Sequence, residues 1–123
     1  MECLFCSIND GRVIAQNEFA FAIKDGFPVT ASHTLVIPKR HAETYFDLGA
    51  DELLACDELL RSLADKIKKE DLTVEGFNIG INAGAAAGQT IFHCHIHLIP
   101  RRNGDVDNPR GGVRHLIPGK GYY

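Results

Sequence analysis

The segment Phe92-His93-Cys94-His95-Ile96-His97-Leu98-Ile99-Pro100 constrains this chain most. Its side chains alternate with period two, which predicts a half-buried strand over Thr90–Ile99 that Pro100 ends. In such a strand His93, His95 and His97 share one face, while Cys94, Ile96 and Leu98 take the other and face the core. Same-face neighbours sit about 6.6 Å apart, so His93 and His97 are about 13 Å from one another. Zinc holds its ligand nitrogens about 2.0–2.1 Å away, so one ion cannot use all three rings. The three histidines are therefore expected to divide their work.

The rest of the chain supplies partners for that strand. Arg12–Gln16 and Glu18–Lys24 read as strands around a turn at Asn17, and Thr34–Ile37 as a short apolar strand closed by Pro38. Asp51–Lys69 is the one long helix. Leu53, Cys56, Leu60, Leu63 and Ile67 follow steps of three and four, behind Gly49 and an acidic first turn. Phe77–Asn82 alternates again, and the Gly/Ala loop Ala83–Gly88 joins it to the histidine strand as a hairpin-like pair. The order predicts an α+β fold with an antiparallel sheet of about five strands, one long helix and a short N-terminal helix. From Arg101 onward Gly and Pro are dense, and regular structure is expected again only over Val113–Ile117.

At 123 residues the chain is expected to be one domain, 1–123, with a core over 3–102 and a Gly/Pro-rich tail over 103–123. Six histidines and four cysteines are many for that length. The first residues lack the basic and apolar regions of a signal peptide, and no apolar run approaches a membrane span. The expected compartment is the cytoplasm, where the cysteines stay reduced, with no membrane partner. Residues 101–123 carry five Lys/Arg against two Asp, while the remainder carries eight against fourteen acidic residues. That distribution fits a local anion site or a solvated tail better than a nucleic-acid-binding domain.

Three histidines in alternation are compatible with a catalytic metal held by two of them and a distant third. They fit acid–base or nucleophilic chemistry better, since imidazole is mostly neutral near pH 7 with a pKa of about 6.5. A nucleophilic histidine suits phosphorus, because the N–P bond it forms is labile. The loop before it, with Asn82, Gly84, Gly88, Gln89 and Thr90, offers backbone N–H groups, two amides and a hydroxyl to phosphate oxygens. It lacks the Gly-Lys-Ser/Thr end of a P-loop and leads into a strand, which excludes that motif.

His93-Cys94-His95-Ile96-His97-Leu98-Ile99 resembles the His-φ-His-φ-His-φ-φ signature of the histidine triad (HIT) superfamily, and Gly88-Gln89-Thr90 stands where that family has Gly-Gln-Ser/Thr. The resemblance extends upstream through Ser32–His41 to Cys3-Leu4-Phe5-Cys6. The chain resembles the small bacterial type of HIT hydrolase, close to the nucleoside phosphoramidase and diadenosine tetraphosphate hydrolase branches. The resemblance implies a HIT-like fold in which His95 attacks the α-phosphorus of a purine nucleotide and forms a nucleotidyl-histidine intermediate, which water then releases as a nucleoside monophosphate. It implies that His97 contacts the phosphate or scissile bridging atom, that Gln89, Thr90, Gly88 and Asn82 hold phosphate oxygens, and that His33 buttresses the triad. Asp25 would bind the ribose hydroxyls, and Leu4, Phe5 and Ile23 would line the base pocket. A homodimer formed through the long helix and a sheet edge is also implied.

Cys3-Leu4-Phe5-Cys6 is a Cys-x-x-Cys pair, either redox-active or half of a zinc site. Some bacterial members of the superfamily complete such a pair with two histidines, so the resemblance implies a structural zinc on Cys3, Cys6, His41 and His93. Cys56 and Cys94 are expected to be small core residues, and His115 a surface residue of the tail. In that tail Arg102, Arg110 or Arg114 is expected to reach a distal phosphate. A nucleotidyltransferase or phosphorylase using the same intermediate, or a non-catalytic nucleotide-binding regulator, are the alternatives. An aprataxin-like role in DNA repair has no support, because no zinc finger follows the triad.

Overall fold

The computed structural model describes residues 3–123; Met1 and Glu2 lie outside it. Five strands form one antiparallel sheet: β1 (Val13–Gln16), β2 (Ala20–Lys24), β3 (Thr34–Pro38), β4 (Val74–Gly80) and β5 (Ile96–Arg102), in the spatial order β1-β2-β3-β5-β4. The single long helix, α1 (Ala50–Glu70), crosses between β3 and β4. The fold is α+β, as expected. The short N-terminal helix is instead two 3-10 turns, Leu4–Ser7 and Asp10–Arg12. Asn17 makes the β1–β2 turn: its Oδ1 accepts from the N–H groups of Phe19 and Ala20, and its Nδ2 donates to the Ala55 carbonyl of α1.

Two layers cover the sheet. Against one face lies α1, which buries Ala55, Cys56, Leu59, Leu63 and Ile67 on Ala20, Ala22, Val36, Ile96 and Leu98. The buried stripe is turned from the expected one, since Leu53 and Leu60 are only half-buried while Ala55 and Leu59 are buried. A small side chain at position 55 lets the helix approach the two alanines of β2 closely. Against the opposite face, the N-terminal turns lay Phe5 over Phe21, Ile23, Leu35 and Ile37. Strands β2 and β3 are thus buried on both faces, which is why their sequences read as unbroken apolar runs.

The start of α1 is held by a carboxylate. Glu52 accepts two hydrogen bonds from Arg40 (3.0 and 2.8 Å) and one from the Gly49 N–H (2.9 Å). The Arg40 guanidinium, followed by that N–H, holds the Glu52 carboxyl below the usual carboxylate range.

The histidine segment departs from expectation. The strand begins at Ile96, so residues 90–95 form an irregular approach and only His97 of the three histidines lies within β5. Backbone carbonyls at the end of β3 and just after it impose that shape: Ala42 accepts from the Cys94 N–H (2.7 Å), Pro38 from the His93 ring and Glu43 from the Gln89 amide. Pro100 does not end the strand, which runs on to Arg102. The β3 ladder stops at the Thr34–Leu98 pair, so the N–H that Pro100 lacks falls beyond it, and Pro100 accepts a bond from the Thr30 hydroxyl.

Candidate active site and metal centre

With Ile96 and Leu98 turned to the helix, the alternate side chains of this segment emerge on the other face of the sheet, beside the Phe5 cluster. The three histidines go to three different neighbourhoods. His93 is fully buried and meets the Cys-x-x-Cys turn, His95 packs against Phe5, and His97 meets His33. The three rings thus have three different sets of partners.

Partners whose role is fixed, as a carbonyl that only accepts or a backbone N–H that only donates, place the ring protons. His93 Nε2 lies 2.8 Å from the Pro38 carbonyl, so it carries the proton and leaves Nδ1 bare. His95 Nδ1 lies 2.8 Å from the His93 carbonyl, so it carries the proton and leaves Nε2 bare. The Val29 N–H donates to His33 Nδ1 (3.1 Å), so the His33 proton is on Nε2 and points at His97 Nδ1, 2.9 Å away. His97 in turn keeps its proton on Nε2. A ring with a free Nε2 lone pair therefore stands beside a ring with an Nε2–H donor, their centroids 5.3 Å apart.

Asp25 stands beside this pair, its Oδ2 3.4 Å from His33 Nε2, while its Oδ1 accepts from the Phe27 N–H. Burial pushes both His33 and His97 below the ordinary histidine value; His95 and His33 push His97 the same way, and Asp25 opposes the shift in both. A histidine whose pKa is lowered by folding binds fewer protons folded than unfolded in the interval down from about 6.5. Its stabilising contribution is complete above that value and is lost as pH falls through it. Unfolding by urea should therefore show lower stability at pH 5.5 than at pH 7.5, and a flat profile over that interval would contradict the two shifts.

Gln89 does not face a substrate. It is buried, its Oε1 accepts from the Gly84 N–H (2.8 Å), and its Nε2 donates to the carbonyls of Glu43 (2.6 Å) and Ile91 (3.1 Å). With both donors and the acceptor committed, the side chain braces the loop that Gly84 and Gly88 turn at φ +95° and +93°, which corrects the phosphate contact expected of it. Gln89→Ala removes three part-buried hydrogen bonds that brace the loop and is expected to cost about 1–3 kcal/mol in a denaturant titration. Thr90 and Gly88 are exposed at the loop surface, and Asn82 is half-buried.

Ile23 is also displaced from its expected role. It has no exposed surface, because β2 is covered on both faces, so it supports Phe5 from beneath and cannot touch a base. Leu4 is exposed, and Phe5 packs edge-on with His95, their ring centroids 5.0 Å apart. From His33 and His97 a groove of about 680 Å³ follows the open face of β4 and β5 to Val113 and Leu116 of the tail.

The tail arginines mostly hold the tail itself. Arg102 binds Asp71 (2.9 Å), Thr73 and the Ala31 carbonyl, so it is not available to a distal phosphate. Arg110 and Arg114 lie 4.9 and 4.8 Å from the centre of the Tyr123 ring. His115 is exposed as expected, yet its Nε2 donates to the Arg110 carbonyl and its ring packs on Tyr122. A 3-10 turn over Gly112–Leu116 stands where regular structure was expected.

Cys3, Cys6, His41 and His93 converge, every ligand atom within 4.8 Å of the others. Cys3 Sγ and Cys6 Sγ lie 3.3 and 3.5 Å from His93 Nδ1, and Cys6 Sγ 3.4 Å from His41 Nδ1. A tetrahedron with Zn–S of about 2.3 Å and Zn–N of about 2.0 Å has S···N edges of about 3.5 Å, so the set fits zinc. The Pro38 carbonyl aims the bare nitrogen of His93 into the cluster, the outer-shell bond typical of a metal-ligating histidine. Burial, then the hydrogen bond and charge of Cys3, raise the Cys6 thiol, a repulsion that a bound cation relieves. Cys56 and Cys94 are buried, as expected of core residues, and burial raises them to about 12 and about 11.

Comparison with known proteins agrees with this geometry. An uncharacterized 16.1 kDa HIT-like protein of Mycoplasma pneumoniae is 43% identical over 103 residues, covering 80% of this chain and 71% of its own. An adenylylsulfatase of Arabidopsis thaliana is 34% identical over 108 residues, 85% of this chain and 54% of its own. The solved structure of a zinc-bound histidine triad family protein from Mycobacterium smegmatis superposes with a TM-score of 0.76 at 39% identity, over 84% of this chain and 77% of that one. A diadenosine triphosphate hydrolase of Plasmodium falciparum superposes at 0.71 with 28% identity, over 82% and 68%. The family model of the HIT domain matches residues 7–104, which takes in the loop, the triad and β5 and ends at the start of the tail. This chain belongs to the HIT domain family.

Proposed function

We propose that the protein is a nucleotide hydrolase that cleaves at the α-phosphate of a nucleoside phosphoramidate or a dinucleoside polyphosphate, through a nucleotidyl intermediate on His95. The observation that carries this reading is the pair of opposed ring states: His95 with Nε2 bare and His97 with Nε2 protonated. In the first step His95 Nε2 bonds to the α-phosphorus and the bond to the bridging atom breaks. The His97 Nε2–H donates to that atom as charge develops on it. The new N–P bond leaves the His95 ring cationic, and the His93 carbonyl on its Nδ1–H stabilises that charge. Water then displaces His95 from phosphorus and releases the nucleoside monophosphate, its proton passing to solvent. His33 keeps His97 in the required tautomer.

The loop N–H groups beside Gly88 and Thr90, with Asn82, supply phosphate contacts in this reading, and Asp25 with Leu4 and Phe5 receive the purine nucleoside. Zinc on Cys3, Cys6, His41 and His93 supplies structure, fixing the N-terminal turn beside the nucleophile. Strand β4, an edge within the chain, is where a second copy would pair, and the cytoplasm is the compartment in which such thiols stay reduced. No helix is long and apolar enough to cross a membrane among the described residues. The reading is tested by incubating the protein separately with adenosine phosphoramidate and diadenosine tetraphosphate and following AMP. Release from one or both is expected, and release from neither overturns the proposal.

A further inference from the structure

We infer that Cys3 and Cys6 are an oxidisable pair whose conversion to a disulfide displaces the nucleophile His95, so that a hydroperoxide turns off the hydrolase through its metal centre. The inference rests on the hydrolase reading above and adds a modification site to it. The four thiols fall into two classes. Cys56 and Cys94 are each 1% exposed inside the helix-facing core, whereas Cys6 is exposed and Cys3 half-buried. The 3-10 turn hydrogen bond from the Cys6 N–H to the Cys3 carbonyl (3.2 Å) closes a three-residue step. Such a turn holds its end Cα atoms within about 7 Å, the separation a disulfide spans.

Two paths join this pair to the nucleophile. Phe5 lies between the cysteines in sequence, is 6% exposed, and packs edge-on with the histidine rings, its centroid 5.0 Å from that of His95 and 6.1 Å from that of His93. His93 meets both sulfurs through its Nδ1, while its carbonyl accepts the Nδ1–H of His95. One residue is thus both a neighbour of the thiols and the group that sets the tautomer of the nucleophile.

The chemistry balances without further reactants. The Cys6 thiolate attacks the terminal oxygen of the hydroperoxide, giving a sulfenic acid and an alcohol. The Cys3 thiolate then attacks the sulfenic sulfur, the S–S bond forms, and the oxygen leaves as water. Each sulfur loses one electron, and the peroxide gains two. Zinc keeps His41 and His93 but loses both anionic ligands, and it dissociates. The shortened sulfur pair pulls the turn and Phe5 with it, and His93 loses the ion that its Nδ1 faced.

The test uses the zinc-loaded, histidine-¹⁵N-labelled protein treated with hydrogen peroxide. Four quantities are followed: zinc captured by a chromogenic chelator, disulfides by peptide mass mapping, the ring ¹⁵N shifts of His95, and AMP release. The expected result is stoichiometric zinc release, a Cys3–Cys6 disulfide with Cys56 and Cys94 reduced, and His95 shifts that leave the single-tautomer values. Turnover should fall by about 100-fold, the cost of misplacing a reacting group by about 1 Å. Thiol reductant together with zinc should restore all four, whereas reduced protein stripped by a chelator should recover with zinc alone. A disulfide formed with zinc retained, or zinc lost with unchanged His95 shifts, overturns the inference. If no substrate is turned over at all, the hydrolase reading fails, and the zinc, disulfide and ¹⁵N measurements still decide the coupling.

Discussion

His95→Ala is expected to abolish AMP release, with a loss on the order of 10⁴-fold or more, because it deletes the only group that forms a bond to phosphorus in the proposed sequence. The loss should appear in kcat with any of the candidate substrates, since they share the α-phosphorus and differ in what leaves. His97→Ala removes the Nε2–H donor while keeping the nucleophile, and about 10²–10⁴-fold is expected for it. Folding should survive the first change, as His95 is only half-buried and makes one side-chain hydrogen bond, to the His93 carbonyl. Circular dichroism on the same sample checks this. Brief mixing of wild type with substrate, quenched in base where the acid-labile N–P bond survives, should show a nucleotidylated His95 peptide. AMP release undiminished in His95→Ala would remove the covalent mechanism.

Stripping zinc is expected to lower the melting temperature by about 10–20 °C. An ion that binds only the folded state contributes about 4 kcal/mol at a free concentration a thousand times its Kd, and for a domain of this size each kcal/mol is worth about 3–6 °C. The effect is large because the site ties the N-terminal turn, the segment after β3 and the approach to β5, three pieces far apart in sequence. Loss of the ion also leaves Cys3 and Cys6 close together with no cation between them. Calorimetry with and without a strong chelator gives the shift directly, and readdition of zinc should reverse it. An unchanged melting temperature would show that these four residues hold no stabilising metal.

Much of this architecture was legible in the sequence. The period-two alternation of Phe77–Asn82 and of the histidine segment from Ile96 onward, the spacing of Cys56, Leu63 and Ile67, and the Asn17 turn each reflect one element's own geometry. Those rules need no knowledge of neighbours. The turn of the α1 stripe was not legible, since Ala55 and Leu59 are buried by the closeness of Ala20 and Ala22 in a strand more than thirty residues away. Ile23 and Gln89 were misplaced for a related reason. Their residue types suit a pocket wall and a phosphate contact, but a second covering layer and three backbone partners decided otherwise.

By itself the sequence determined the strands of the sheet and the long helix, and singled out the Cys-x-x-Cys pair and the two histidines that meet it. Only the tertiary structure decided where β5 begins and which nitrogen of each ring carries its proton. Those outcomes depend on the carbonyls of Pro38, Ala42, Glu43 and His93 and on the N–H of Val29. Every residue offers the same carbonyl and nearly every residue the same N–H, so no side-chain pattern marks the ones that the fold brings to a histidine.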